Sequence, residues 1–284
     1  MLRRFENSSR WRRYDRKTQI SYARALKPWR MPDMRGKAVP EIRRRHVAAI
    51  HEGLTERGHA AANLFLIATS VWFRWMISQD VEGVEFVPST EIKPAKREDG
   101  RPQRWEAWTE RDYRHAVGNL PECLRRVIVL ARYTGQRRSD LIAMQWSAYD
   151  GETITIEPHK NRRNEKERRE LVIPVHPMLK AELDEWQPLA NSTYILTTAQ
   201  GKPWVGEWLS KWLGPELVKI GLPKGLNVHG LRKLFCAWMS EGGKTSKEIM
   251  SITGHRTLKM VELYTESAEQ KRLAKNAFRG MGGE

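Results

Sequence analysis

Several short segments carry polar residues that core packing does not explain. Thr134-Gly135-Gln136-Arg137-Arg138-Ser139-Asp140-Leu141 sets an arginine just past a glycine turn. His229-Gly230-Leu231-Arg232 places a histidine and an arginine three apart, on one face of a helix start. Gly254-His255 follows an apolar helical stretch, and Tyr264 comes nine residues later. Guanidinium groups present a rigid fork of donors that matches phosphate oxygens. A histidine is a donor or an acceptor near neutral pH. A tyrosine, with an ordinary pKa of about 10, acts as a nucleophile only beside cations or a base. Each piece alone is weak. Arg137 sits in a basic run with Arg138 as a rival, and Tyr264 taken alone reads first as a partly buried helical tyrosine. The histidines would suit zinc, but no third ligand stands at a convincing spacing.

In this order and at these separations the segments resemble the phage-integrase, or tyrosine recombinase, family. The matching pieces are TGQRRSDL, the HK of EPHK followed by a basic loop, HGLRK, ITGH and VELYT. Residues 22–79 resemble the family's core-binding domain less specifically. The resemblance implies that Arg137 and Arg232 hold a scissile phosphate. Their charge would oppose that of a five-coordinate phosphorane where it develops. It implies that Tyr264 attacks, giving a 3′-phosphotyrosine and a free 5′ hydroxyl with no metal or other cofactor. His229 and His255 would bond the phosphate and manage the tyrosine proton. Lys160, in the loop after the first predicted strand, would protonate the leaving oxygen, with Lys166 as runner-up. Asp140 would orient a neighbouring group or support the fold. Three positions depart from the family's usual pattern: Gln136 for leucine, Leu234 for threonine or serine, and Glu266 after the tyrosine-threonine pair.

The bulk properties agree with a polyanionic partner. The chain has 284 residues and a formal net charge of +16, with a pI of about 10.0, which favours DNA through counterion release. Candidate phosphate contacts are Arg12 and Arg13 in Arg10-Trp11-Arg12-Arg13-Tyr14, the run Arg43-Arg44-Arg45, and Arg162 and Arg163 in the basic loop. The bland alternative is a solvated face of snorkelling arginines. Cys123 and Cys236 make neither a disulfide framework nor a metal cage and read as small core residues. No run of eighteen apolar residues suggests a membrane span, and no apolar segment follows Met1 as in a secretory signal.

The elements that must position these residues are mostly helical. Apolar spacing predicts helices over residues 41–57 and 60–79, with Trp72 and Trp75 in the core. The mixed charge and proline of residues 88–104 read as a linker. Thr109 and Asp112 form a capping box, and Pro121 opens a helix toward Tyr133. A short helix carrying Ser139 and Leu141 follows the Gly135 turn. Residues 153–157 and 170–174 alternate as strands around the charged loop 159–169. Helices follow from Pro177 and over 231–239, 247–252, 258–265 and 270–278. Trp204, Trp208 and Trp212 read as a buried stripe.

The expected architecture is mainly α with a small β-sheet, in two domains that clamp a duplex. Residues 1–87 form a helical core-type DNA-binding domain and residues 105–284 a mixed α+β catalytic domain with a tail helix. About twenty residues precede the Ser21-Tyr22 helix, so an arm-binding domain is either absent or outside this chain. The resemblance implies double-stranded attachment or crossover sites as substrate. It further implies a homo-tetramer with tail exchange, an excisionase and a DNA-bending protein as further partners, and the cytoplasm of a bacterial host. Rival readings are a non-catalytic DNA-binding relative, a Xer-like dimer-resolution or transposon recombinase, and a type IB topoisomerase.

Overall fold

In the computed structural model, residues 1–35, 37–96, 108–158, 169–262, 265 and 270 are described. The chain divides into two units, Met1–Arg104 and Trp105–Glu284. The first is helical: α1 (Leu2–Glu6), α2 (Ser9–Arg12), α3 (Arg16–Ala25), α4 (Pro32–Arg35), α5 (Arg44–Thr55) and α6 (His59–Ile77). The Ser8 hydroxyl caps α2 by accepting from the Trp11 amide, and the Asp15 carboxylate caps α3 by accepting from Thr18. The longest apolar run becomes α6, whose face of Phe65, Leu66, Trp72, Phe73, Trp75 and Met76 is buried. Trp29 stacks on Phe65 at 5.5 Å and donates from its indole nitrogen to Thr69 Oγ1 at 3.0 Å. Phe5 packs on Trp75 with ring centroids 5.2 Å apart. Length and composition alone would let α6 cross a membrane, but these contacts commit its apolar face to the core of this unit.

Two features of the first unit follow from satisfying polar groups. In the basic stretch 10–14, Trp11 is buried against Phe5 while Arg12 and Arg13 are exposed. The Trp11 ring of that segment therefore serves packing. Within residues 88–104, Ala95 is held by the Asn63 side chain of α6. Asn63 donates to the Ala95 carbonyl at 2.9 Å and accepts from its amide at 2.8 Å. Ser89 bonds Ser70 of α6 at 2.7 Å.

The second unit begins with α7 (Glu110–Asn119) and α8 (Glu122–Thr134). Thr109 and Asp112 cap α7 reciprocally, as the sequence predicts. The short α9 (Arg138–Leu141) precedes a two-stranded antiparallel sheet of β1 (Thr153–Ile156) and β2 (Leu171–Pro174), with Ile154 opposite Ile173. Its inner face of Ile154, Ile156, Leu171 and Ile173 joins the core of α8. Then come α10 (Pro177–Trp186), α11 (Gly206–Lys219), α12 (Val228–Glu241) and α13 (Ser246–Thr253). Residues 258–262 are helical as well.

The expected tryptophan stripe is corrected by α11. Trp208 and Trp212 are exposed, at 62% and 52%, while Leu209, Leu213 and Leu217 are buried. The helix therefore turns its leucine row inward, and the tryptophan row, one residue earlier, lies about 100° away. Trp204 is buried but precedes the helix.

Two helix ends are fixed by glycine. Gly135 ends α8 with φ +60°, and Gly254 ends α13 with φ +69°. A Cβ on Gly135 would lie 2.5 Å from the Phe235 ring, and one on Gly254 would lie 2.7 Å from Leu171 Cδ1. Both conformation and space demand glycine. Gly135→Ala is expected to destabilise the protein by about 2–4 kcal/mol, as strain and overpacking add. Urea unfolding measures this. Gly135→Asn tolerates the left-handed backbone yet keeps the clash, so it is expected to rescue little. Full rescue by asparagine would place the whole cost in the backbone.

Candidate catalytic site

The site is built where the C-terminal ends of α8 and α13 meet the first turns of α12. A helix leaves its last carbonyls without partners, and they carry the negative end of its dipole. Here those carbonyls hold arginines. Arg232, on the second turn of α12 and only 1% exposed, donates through Nη1 to the Gly135 carbonyl at 2.8 Å and the Thr253 carbonyl at 2.9 Å. Arg137, the residue before α9, donates through Nη2 to the Gly254 carbonyl at 3.4 Å. Each terminal glycine thus supplies its conformation to the turn and its carbonyl to an arginine. The buried Gln136 joins the two ends directly, donating from Nε2 to the Ile252 carbonyl at 2.7 Å and the Thr134 carbonyl at 3.0 Å.

His255 lies beside Arg232, buried. Its Nε2 accepts from Arg232 Nε at 3.2 Å, and its Nδ1 meets the Thr253 hydroxyl at 2.8 Å. Desolvation, then the charges of Arg232 and Arg137 and the proximity of His229, push its pKa down to about 3. The ring is therefore neutral at physiological pH. A histidine whose pKa is lower when folded binds fewer protons folded than unfolded between about 3 and 6.5. Its contribution is intact above the unfolded value and is lost as pH falls through that window, by at most about 1.4 kcal/mol per pH unit. Urea midpoints taken from pH 7 to pH 4 should fall less steeply for His255→Gln than for the wild type. Parallel curves would show that other groups govern the acid limb.

His229 occupies the first turn of α12, where the Asn227 carboxamide oxygen caps its amide at 2.9 Å. The residue is exposed. Partial desolvation, then the charges of Lys233, Arg232 and Arg137, lower its pKa. Asp140 is buried on α9 with Oδ2 at 3.8 Å from Arg137 Nη1. That distance suits a carboxylate that helps orient the guanidinium through its charge.

The structure thus gathers Arg137, Asp140, His229, Arg232 and His255. Tyr264, Lys160, Lys166, Arg162 and Arg163 lie outside the described residues. Val261 and Thr265, on either side of Tyr264, are both buried, and Val261 packs with Phe235, Cys236 and Ile249. Among the described residues, no group of three or more histidine, cysteine, aspartate or glutamate side chains could hold a metal ion.

In the first unit Arg12, Arg13, Arg43, Arg44 and Arg45 are exposed. Arg44 pairs with Glu91 at 2.5 Å, and Arg43 lies 5.6 Å from the centre of the Phe86 ring. Arg4, which is not a sequence candidate, and Arg10 of the basic stretch line one concavity of about 740 Å³ with Arg13, Ser8, Tyr14 and Gln79. No carboxylate lines it. Sequence reading missed Thr253 and Gln136 as supports of the site. The Gly and Thr carbonyls that hold the arginines carry no signal in side-chain type.

A family model described as the phage integrase family matches residues 110–271. That is more than half of the 284 residues, and the chain belongs to this family. It is 27% identical over 115 residues to an integrase of Mycobacterium phage L5, covering 39% of this chain and 31% of that protein. To an integrase of Mycobacterium phage FRAT1 it is 24% identical over 177 residues, covering 56% and 53%. The chain therefore spans between about a third and half of the length of these curated relatives. Among solved structures, a lambda integrase tetramer bound to a Holliday junction matches with a TM-score of 0.77 at 23% identity, over 94% of this chain and 76% of that one. The Tn1549 transposon integrase in complex with a circular intermediate DNA matches with a TM-score of 0.73 at 15% identity, over 95% and 97%. At these identities the likeness is one of fold. The mainly helical tyrosine recombinase fold with a small two-stranded sheet is the one expected from the sequence.

Proposed function

We propose that this chain is a site-specific DNA recombinase that cuts and rejoins DNA through a 3′-phosphotyrosine. The observation that carries this reading is the convergence of Arg137, Arg232 and two neutral histidines on the paired ends of α8 and α13. Fixed donors of this kind stabilise charge that develops on phosphoryl oxygens in the transition state. The Tyr264 oxygen forms a bond to phosphorus as the bond from phosphorus to the 5′ oxygen breaks. The tyrosine proton passes to a base, for which the exposed, neutral His229 is suited. The leaving 5′ oxygen takes a proton from Lys160. The phosphoester bond is exchanged rather than hydrolysed, so rejoining needs no nucleotide.

The substrate in this reading is a pair of double-stranded crossover sites held by four copies of the chain, the basic first unit contributing phosphate contacts. Such a unit pairs cations with the DNA backbone and gives affinity without reading sequence. The Arg4, Arg10 and Arg13 cleft joins Arg12 and Arg43 to Arg45 as candidates for that role. Tail exchange between copies, an excisionase, a DNA-bending protein and a place in the bacterial cytoplasm belong to the same proposal.

The test is covalent trapping. A nicked duplex of the element's crossover sequence is mixed with protein in EDTA and then denatured. A protein–DNA band that survives denaturation is expected. Salt-sensitive binding to that duplex with no adduct would replace this reading with that of a DNA-binding relative without cleavage.

A further inference from the structure

We propose that Thr253 is a positioning residue that fixes the tautomer of His255 and, through it, the guanidinium of Arg232. This rests on the recombinase reading for its effect on rate, but the hydrogen-bond argument stands without it. A threonine hydroxyl has one proton. Thr253 Oγ1 lies 2.7 Å from the Ile249 carbonyl, one helical turn back in α13. A carbonyl only accepts, so the hydroxyl proton is committed there. The same oxygen lies 2.8 Å from His255 Nδ1. The proton in that second contact therefore comes from the ring, and His255 carries its hydrogen on Nδ1. Nε2 is then a bare acceptor, and Arg232 Nε, which only donates, meets it at 3.2 Å. The opposite tautomer would set two N–H groups head to head.

Thr253 thus holds Arg232 from two sides. Its carbonyl accepts from Nη1 at 2.9 Å, and its hydroxyl holds the histidine that accepts from Nε. Thr253, His255 and Arg232 are all buried, so water does not replace a lost partner. Without the hydroxyl, the Nδ1–H loses the acceptor that the threonine supplies, which favours ring rotation or the other tautomer. Either change withdraws the acceptor from Arg232 Nε.

Thr253→Val keeps the shape of the side chain and the carbonyl but removes the hydroxyl. Thr253→Ser restores the hydroxyl. Nitrogen NMR of histidine-labelled protein, with His255→Gln for assignment, should show His255 as the Nδ1–H tautomer in the wild type and in Thr253→Ser. In Thr253→Val the signal should shift toward the other tautomer or a mixture. The rate of adduct formation should fall about tenfold in Thr253→Val, with DNA affinity unchanged, and stay within about twofold in Thr253→Ser. An Nε2–H ring in the wild type would overturn the proposal. So would a valine variant whose histidine signal is unaltered. If valine and serine slow the reaction equally, packing rather than the hydroxyl is responsible. A wild-type protein that forms no adduct defeats the recombinase reading alone, because the NMR result still decides the tautomer.

Discussion

Tyr264→Phe is expected to abolish the covalent adduct while leaving DNA affinity within about twofold, since phosphate contacts made by cations dominate binding. The substitution removes one oxygen and leaves the ring. Attack on phosphorus needs that oxygen as the new ester atom, and phenylalanine has none to offer. The cations that would hold the phosphate, Arg137 and Arg232, are fixed by backbone carbonyls of Gly135, Thr253 and Gly254. None of those bonds involves Tyr264. The described residues on either side in sequence, Val261 and Thr265, are buried. The check is the trapping assay beside a gel-shift titration at several salt concentrations. A denaturation-resistant band in the phenylalanine variant would assign the nucleophile to another residue. Loss of both band and binding would show that the hydroxyl also supports the fold.

The residues that converge on the helix ends, Arg137, His229, Arg232 and His255, are legible because their order along the chain is distinctive. TGQRRSDL, HGLRK and ITGH stand in the sequence at predicted helix ends, and those ends meet in the structure. Helix α7 was legible from its capping box, and α8 from Pro121 and Gly135, because local chemistry alone sets such boundaries. What stayed hidden depends on contacts between distant segments. Nothing in side-chain type says that the carbonyl of Gly135 receives Arg232, 97 residues away. Gln136 is a mild departure from the family's leucine, yet its amide, held by the Thr134 carbonyl, also reaches the Ile252 carbonyl 116 residues away. The tryptophan stripe failed for a different reason. Residues 208 and 212 and residues 209, 213 and 217 share one helical period, so spacing alone could not choose between the rows. Size favoured tryptophan, whereas the core accepted leucine.

Arg232→Lys is expected to slow adduct formation by about 10³-fold with binding to the crossover duplex weakened less than tenfold, because donors aimed at a developing charge act mainly in the transition state. The argument lies in geometry rather than charge. The guanidinium spans three fixed acceptors: the Gly135 and Thr253 carbonyls through Nη1 and His255 Nε2 through Nε. A planar fork meets them in fixed directions, while an ammonium on a flexible stem is a single point and cannot occupy both positions. The lysine variant keeps the positive charge but leaves at least one buried acceptor unmatched, at a cost of about 1–3 kcal/mol in stability. Melting curves therefore accompany the kinetics, and rates are compared at a temperature where both proteins are folded. Arg232→Gln loses charge as well and should be slower still. If lysine restores most of the wild-type rate, charge alone serves at this position and the ordered contacts of Arg232 are structural. A large loss in lysine with a native melting curve would instead assign the rate to the fork that the two helix ends hold in place.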